Sequence, residues 1–383
     1  MNKEKNHLVK ISKYILTIMI ILIFTSCYNI SKKKLATGAI LLQTLDQFHR
    51  PESVVFSLNG KYLYVGNCAS DLFGEEKEKV GFLRGAGAIS RCTVDENGNV
   101  EIEKQKFITG LNGPTGLGIL PKATKKYPAG TLMVNQGMSL QVDNNGNSIT
   151  NLEDLGVGVH FYDPNNGKLL GRIPMGPGSE VATAIGHVPL LLNSMAFDTN
   201  GNLYITDTAI GGDRLSPRVY QYPGLIRIEH SSIDNISEDG ISFTFIPGVP
   251  NGIGFWARED AMVLVTMGGS DKPGGTAIYK LPIESFPMKT VPAPLFNDVG
   301  RADGIAFSPK GTIITSRFSG DLLAIPINGQ PRSLILEPFK APADHRLLTL
   351  EDGSSILAVP EQDRTDPKPW NQNVKIIKIP KKF

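Results

Sequence analysis

An excess of charge of one sign is missing from this sequence. Lys and Arg number 39 against 37 Asp and Glu, a net charge of +2. That balance builds no global field for polyphosphate, so no nucleic-acid partner is expected. Cysteine is nearly absent, with three in 383 residues and no C-x-x-C pair, which argues against a cysteine-built zinc or redox centre. No apolar run reaches the roughly 20 residues of a membrane span. The phosphate loop Gly-x-x-x-x-Gly-Lys-Ser/Thr, the metalloprotease motif His-Glu-x-x-His and the nucleophile motif Gly-x-Ser-x-Gly do not occur either. Nucleotide hydrolases of that type, zinc proteases and serine hydrolases fall away. Gly85-Ala-Gly87 lacks the strand-then-helix setting of a dinucleotide site, and Asp95–Gly98 and Asp143–Gly146 lack the full ligand spacing of a calcium loop.

What is present is globular and turn-rich. Hydrophobic residues make up 41% and charged ones 20%, which excludes a mainly disordered chain, a collagen or a polytopic membrane protein. Gly at 40 and Pro at 26 are too frequent for long helices and suit short strands joined by tight turns.

Residues 1–27 read as a lipoprotein-type export signal: a Lys-rich start, an apolar run from Tyr14 to Phe24, then Thr25-Ser26-Cys27. Small residues before a Cys resemble a bacterial lipobox, although Phe24 replaces the preferred Leu. On that resemblance Cys27 becomes a lipidated N-terminus, and Tyr28 after it favours the periplasmic face of the outer membrane in a Gram-negative cell. An uncleaved anchor is the alternative. Residues 28–38 form a short linker. In an oxidising compartment Cys68 and Cys92 either form a disulfide or remain two buried thiols, and their spacing does not decide between these.

From residue 39 to 383 one unit recurs: an apolar strand, a Gly or Asp turn, then a second apolar strand. Ser53–Gly60 followed by Tyr62–Val65, Ser194–Gly201 followed by Leu203–Thr206, and Gly304–Gly311 followed by Thr312–Thr315 are its clearest copies. Weaker copies span Gly116–Val134, Gly252–Val265 and Arg346–Val359, which makes six. Each continues with further strands, such as Ala88–Val94 and Ala277–Leu281. Units of about four antiparallel strands cannot cover both faces alone, and a radial array does so with only short edges. The expected fold is therefore all-β, a single six-bladed β-propeller, with Ala39–Gln43 pairing with the last unit to close the ring. A β-sandwich or two stacked domains is the alternative, but no Pro/Ser-rich linker interrupts the region.

In a propeller the innermost strands all start beside the central axis. Counting eight residues back from the turn glycines Gly60, Gly201, Gly311 and Gly353 reaches Glu52, Asn193, Asp303 and His345. Asn251 lies nine before Asp260, and Pro51-Glu52, Pro114-Thr115 and Pro250-Asn251 align by their prolines. The predicted axial ring is Glu52, Thr115, Asn193, Asn251, Asp303 and His345. Glu52, Asn193, Asn251 and Asp303 offer the oxygen donors that a hard divalent cation takes, Ca²⁺ above all, whereas zinc calls for more His or Cys. Local structure explains each member alone, since Asn-Gly and Asp-Gly are turn dipeptides. Their shared offset is what points to a site.

These residues resemble the senescence-marker-protein (regucalcin) and gluconolactonase family of six-bladed propeller lactonases, and more distantly the paraoxonase and strictosidine-synthase-like proteins. The resemblance rests on Arg50–Val54, Leu192–Asp198, Val249–Phe255 and Arg301–Phe307. It implies that Glu52, Asn193, Asn251 and Asp303 form the divalent-metal site with adjacent substrate or water contacts. The chain departs from the family at Ser53, where Gly is usual, at Asn193-Ser194 in place of Asn-Asp, and at Leu191 in place of the Arg of sugar-lactone members. The apolar Pro189–Leu192 wall suggests a greasier substrate. Long loops after the second strands, Ala69–Gly87, Gly137–Gly158, Thr208–Tyr222, Gly268–Thr276 and Glu361–Asn373, are expected to overhang the site. They carry Arg214 and Trp370, which with Thr115 are the candidate substrate contacts. The expected activity is metal-dependent hydrolysis of a small-molecule lactone or related ester by a monomer. Asp303 or His345 would take the proton of the attacking water. The rival reading is a non-catalytic binding or scaffold propeller whose axial cation is structural.

Overall fold

In this computed structural model the described residues are 38–383, apart from 73–79, 138–140, 144, 146, 150, 152, 154–155, 212–218, 221, 269–275, 327–330, 334–338, 363–369 and 382. The strands that follow the first hairpin turn of each repeat are buried along almost their whole length. Ala261–Thr266 and Ser355–Pro360 are buried at every position. A strand covered on both faces must have a neighbouring sheet on each side, which a ring provides for every sheet.

Six four-stranded antiparallel sheets make that ring. From the axis outward, blade one is Pro51–Phe56, Tyr62–Asn67, Gly87–Val94 and Val100–Leu111. Blade two is Leu117–Ile119, Leu132–Gln136, Gly158–Tyr162 and Leu169–Pro174, and blade three is Leu192–Phe197, Leu203–Asp207, Gly224–Ile228 and Ile241–Phe245. Pro250–Trp256, Ala261–Thr266, Ala277–Pro282 and Phe296–Asn297 form blade four. Ala302–Phe307, Ile313–Arg317, Asp321–Ile325 and Arg332–Ser333 form blade five. Blade six takes Arg346–Thr349, Ser355–Pro360 and Gln372–Ile379 from the C-terminal end, and its outer strand, Ile40–Phe48, from the other end of the ring. Ile40 faces Lys378 and Phe48 faces Gln372, so the expected closing strand is present.

The core is correspondingly divided into six apolar clusters, one between each pair of adjacent blades. Strand alternation builds them. Met262 and Leu264 face blade three, whereas Val263 and Val265 on the same strand face blade five.

The thiols Cys68 and Cys92 are buried and unbonded. Cys92 sits opposite Leu63, near the far end of the strand that leads to Cys68. At about 3.3 Å per residue that interval exceeds the Cα separation of roughly 7 Å that a disulfide tolerates. Of the two alternatives for this pair, the structure contains separate thiols. Cys27 and the export segment lie outside the described residues.

Candidate metal and substrate site

Glu52, Thr115, Asn193, Asn251 and Asp303 line one cavity at the end of the axial channel where the innermost strands begin. All five are buried. They reach it through an interruption in pairing. Between the first and second strands the register shifts at Pro51/Ser53, Leu192/Met195, Pro250/Ile253 and Ala302/Ile305. A β-bulge re-aims the residue it displaces. The four bulged blades are those that supply Glu52, Asn193, Asn251 and Asp303.

The next residue on each strand must be small, because the blades converge there. A Cβ on Gly116 would lie 1.9 Å from the Asn193 carbonyl oxygen, and one on Gly252 would lie 2.2 Å from that of Asp303. Side chains of the second strands pin the same backbone. Asn135 Nδ2 donates to the Asn193 carbonyl at 3.0 Å, and Thr206 Oγ1 to that of Asn251 at 2.5 Å. Thr115 Oγ1 donates to the Leu192 carbonyl at 2.5 Å. Its hydroxyl hydrogen is thus engaged by the fold.

The side-chain oxygens Asn193 Oδ1 and Asn251 Oδ1 are buried with no hydrogen-bond partner among the described residues. Asn251 Nδ2 approaches Met267 Sδ at 3.4 Å, which turns the amide oxygen the other way. A buried amide oxygen without a partner is costly, and a cation supplies the missing interaction. Two amides and two carboxylates suit a hard ion that takes oxygen ligands. Among the described residues no group of three or more His, Cys, Asp or Glu lies together, so a nitrogen- and sulfur-rich zinc set is not formed. The residues present therefore fit a calcium-like ion. The cavity, of about 70 Å³, leaves room beside an ion for several waters or a small ligand. Cys68 lies close by. Burial first, then the carboxylates of Glu52 and Asp303, push its thiol well above the ordinary range.

The sixth blade departs from the expected ring. His345 does not line the cavity. Ser316 Oγ donates to the Ala343 carbonyl at 2.9 Å, as its counterpart Thr206 does to that of Asn251. Asp344 bridges Ser53. Ala343 thus holds the ring position, Asp344 the small-residue position, and His345 the next one inward, where the other blades place Val54, Leu117, Met195, Ile253 and Ile305. These five pack toward the preceding blade, and so does His345. Its Nε2 lies 3.1 Å from the Ile314 carbonyl oxygen of blade five. Burial, then Arg346, lowers its pKa to about 4, so it is a neutral core residue at pH 7. The offset from Gly353 fails because this hairpin is longer. Past the Leu347–Leu357 pair it continues to Thr349–Ser355, whereas blade five turns after Phe307–Ile313, the equivalent pair. Pro342-Ala343, aligned with Pro51-Glu52 and Pro250-Asn251, was the available signal.

Beneath the cavity floor, blades three and six join across the axis. Ser194 Oγ donates to Asp344 Oδ2 at 2.8 Å, and Arg346 Nη2 donates to Ser194 Oγ at 3.0 Å. Arg346 Nη1 binds Asp344 Oδ1 and also the His345 carbonyl at 3.0 Å. Burial pushes the Asp344 carboxyl up, against the opposing pull of Arg346 and Ser194. This plug separates the polar cavity from a second cavity of about 380 Å³, lined by Val55, Ala196, Phe197, Phe255 and Phe307 with Arg346 at its head.

The loops contribute to the cavity through residues other than Trp370. Phe82, Thr208, Ile210 and Gln362 line it, together with Met267, Phe318, Leu191 and Arg301. Trp370 lies elsewhere, tilted against His49 with ring centroids 5.6 Å apart and with Lys106 Nζ 4.8 Å from its ring. It does not line the cavity. Arg214 lies outside the described residues.

No family model matches the sequence, and no curated protein matches it. Solved structures do match in fold, and they are gluconolactonase-like six-bladed propellers. A candidate gluconolactonase is 13% identical, with a TM-score of 0.53 over 90% of this chain and 94% of its own. A gluconolactonase from Xanthomonas campestris is 11% identical, with a TM-score of 0.51 over 91% and 92%. A glucose dehydrogenase scores 0.51 at 13% identity over 89% and 99%. The shared architecture thus carries more than one chemistry, and function has to be argued from the site.

Proposed function

We propose that this protein is a divalent-cation-dependent hydrolase of a lactone or related ester, with Glu52, Asn193, Asn251 and Asp303 holding Ca²⁺. The observation that carries this reading is the bulged ring: four blades aim oxygen donors into one small cavity, and its two amide oxygens have no hydrogen-bond partner among the described residues. The fold of the gluconolactonase structures supports it. When bound, such an ion supplies Lewis-acid polarisation of a carbonyl oxygen. With His345 in the core, Asp303 is the one of the two candidate bases that remains to accept the proton of the attacking water. The plug and the apolar walls keep bulk water from the reacting atoms. We further propose that the protein is exported and lipid-anchored through Cys27, working as a monomer at the periplasmic face of the outer membrane.

The test is hydrolysis of a panel of lactones and aryl esters by the full chain, with and without a chelator, and with Ca²⁺ restored. Turnover that disappears on chelation and returns with Ca²⁺ is the expected result. If chelation lowers the melting temperature and no substrate is turned over in any condition, the ion is structural and the scaffold reading prevails.

A further inference from the structure

The cavity is chemically divided. Four blades supply its oxygen donors, whereas most of the remaining lining is carbon, from Phe82, Leu191, Ile210, Met267 and Phe318, with Thr208, Arg301 and the Gln362 amide among them. Phe82, Leu191, Ile210 and Met267 form an apolar cluster of their own, separate from the six between the blades. No single blade builds it. Phe82 stands on Val80–Leu83, in a small sheet that pairs with Ser70–Leu72 and, in parallel, with Gln141–Val142. Ile210 stands on a two-stranded ribbon with Val219–Tyr220, and Met267 follows the second strand of blade four.

The wall at Leu191 is fixed by the buried Asp207. Its carboxylate accepts from the backbone N–H of Leu190 at 3.3 Å, Leu191 at 2.9 Å and Ala209 at 2.8 Å. The hydroxyls that reach the cavity have already spent their hydrogens. Thr115 donates to the Leu192 carbonyl, and Thr208 donates to that of Pro250 at 2.9 Å. Each hydroxyl has one hydrogen to give, so neither can donate to a ligand without breaking a bond of the fold. At the rim Arg301 lies with its guanidinium carbon 5.4 Å from the Phe318 ring centroid, and it has no ion-pair partner among the described residues.

Resting on the lactone or ester reading above, we infer that the substrate carries an alkyl or aryl substituent and is not a polyhydroxylated sugar lactone. The carbonyl sits over the oxygen donors, the apolar substituent lies against Leu191, Ile210, Phe82 and Met267, and Arg301 meets any polar group that points outward. A sugar ring in the same place buries several hydroxyls against carbon, where each loses its water partners without replacement.

Binding is measured apart from turnover, so that this inference and the hydrolase reading can fail separately. The full chain is titrated calorimetrically, with Ca²⁺ and with chelator, using a γ-alkyl lactam that resists hydrolysis and, in parallel, gluconolactam. The alkyl lactam is expected to bind at least about tenfold more tightly. Leu191→Gln and Phe318→Ser are each expected to cut that preference severalfold, the second serving if the buried Leu191 variant folds poorly. Equal or tighter binding of gluconolactam, binding of neither, or an unchanged preference in both variants overturns the inference. Preferential lactam binding without turnover of any lactone removes the hydrolase and leaves the apolar pocket standing.

Discussion

At the first inner-strand position five blades supply Glu52, Thr115, Asn193, Asn251 and Asp303. Three residues further along the same strands the lining is Val55, Gly118, Ala196, Gly254 and Ala306. The polar end and the apolar end of the channel thus share strands, symmetry and neighbours. They differ in how tightly pairing binds them. At the apolar end the ladder is regular, and the fold itself dictates side chains that fill space. At the polar end the ladder is broken by bulges, and the amide oxygens of Asn193 and Asn251 accept no hydrogen bond from the described residues. Chemistry has been placed where the sheet's own demands lapse.

The sharpest way to break this contrast is Asp303→Ala. Hydrolysis is expected to fall roughly 10³-fold or more, with cation binding lost in a calorimetric titration. Ile305→Val, two residues along the strand, should leave both intact and lower stability by only about 1 kcal/mol.

Next in size is the partition between the two ends. Arg346→Met leaves Asp344 buried without its cation and should cost about 3–5 kcal/mol, measured by urea unfolding at pH 7. Replacing Asp344 by Asn in the same chain should recover part of that loss.

The third effect is a pH dependence. His345 has a folded pKa of about 4 against an ordinary value of 6.5, with burial as the main cause. A lowered pKa means that its contribution is present above pH 6.5 and is lost as pH falls toward 4. The amount is about 3 kcal/mol. His345→Leu, which matches the apolar residues of the other blades, should flatten the difference between unfolding midpoints at pH 6.5 and pH 4.5. An unchanged acid limb would return His345 to a solvated position.

The smallest effect expected is that of Ser194→Ala. It removes one hydrogen bond to Asp344 and one from Arg346, worth about 1 kcal/mol each. A modest fall in melting temperature, with cation affinity little changed, is the outcome that keeps the plug distinct from the site above it.

Much of this was legible in the sequence because a repeat repeats its errors as well as its rules. The turn glycines fixed the strand boundaries, and the unbroken apolar run Ala261–Val265 required two covered faces. An offset measured from a turn locates an inner residue only if every hairpin has the same length. That held for Glu52, Asn193 and Asp303 and failed at His345, where blade six has two more paired residues on each strand. The upper walls were harder to read. Phe82, Ile210 and Phe318 come from segments with no common spacing, and their convergence depends on strand ribbons that two short apolar stretches do not announce. Trp370 illustrates the converse. Its size and loop position suggested a ligand contact, but His49 and Lys106 supply its neighbours.

The strand Ile40–Phe48 is among the first of the ring to be synthesised, and its partner Gln372–Ile379 is among the last. Until the end of the chain arrives, the sheet between blades five and one lacks its final seam, and hardly any contact in the molecule spans a longer stretch of sequence. Closure of the ring must therefore wait for Gln372–Ile379, and a chain that has not yet reached it carries an open crescent with two unpaired borders. Deleting residues from Ile40–Phe48 or from Gln372–Ile379 is then a lesion at the latch.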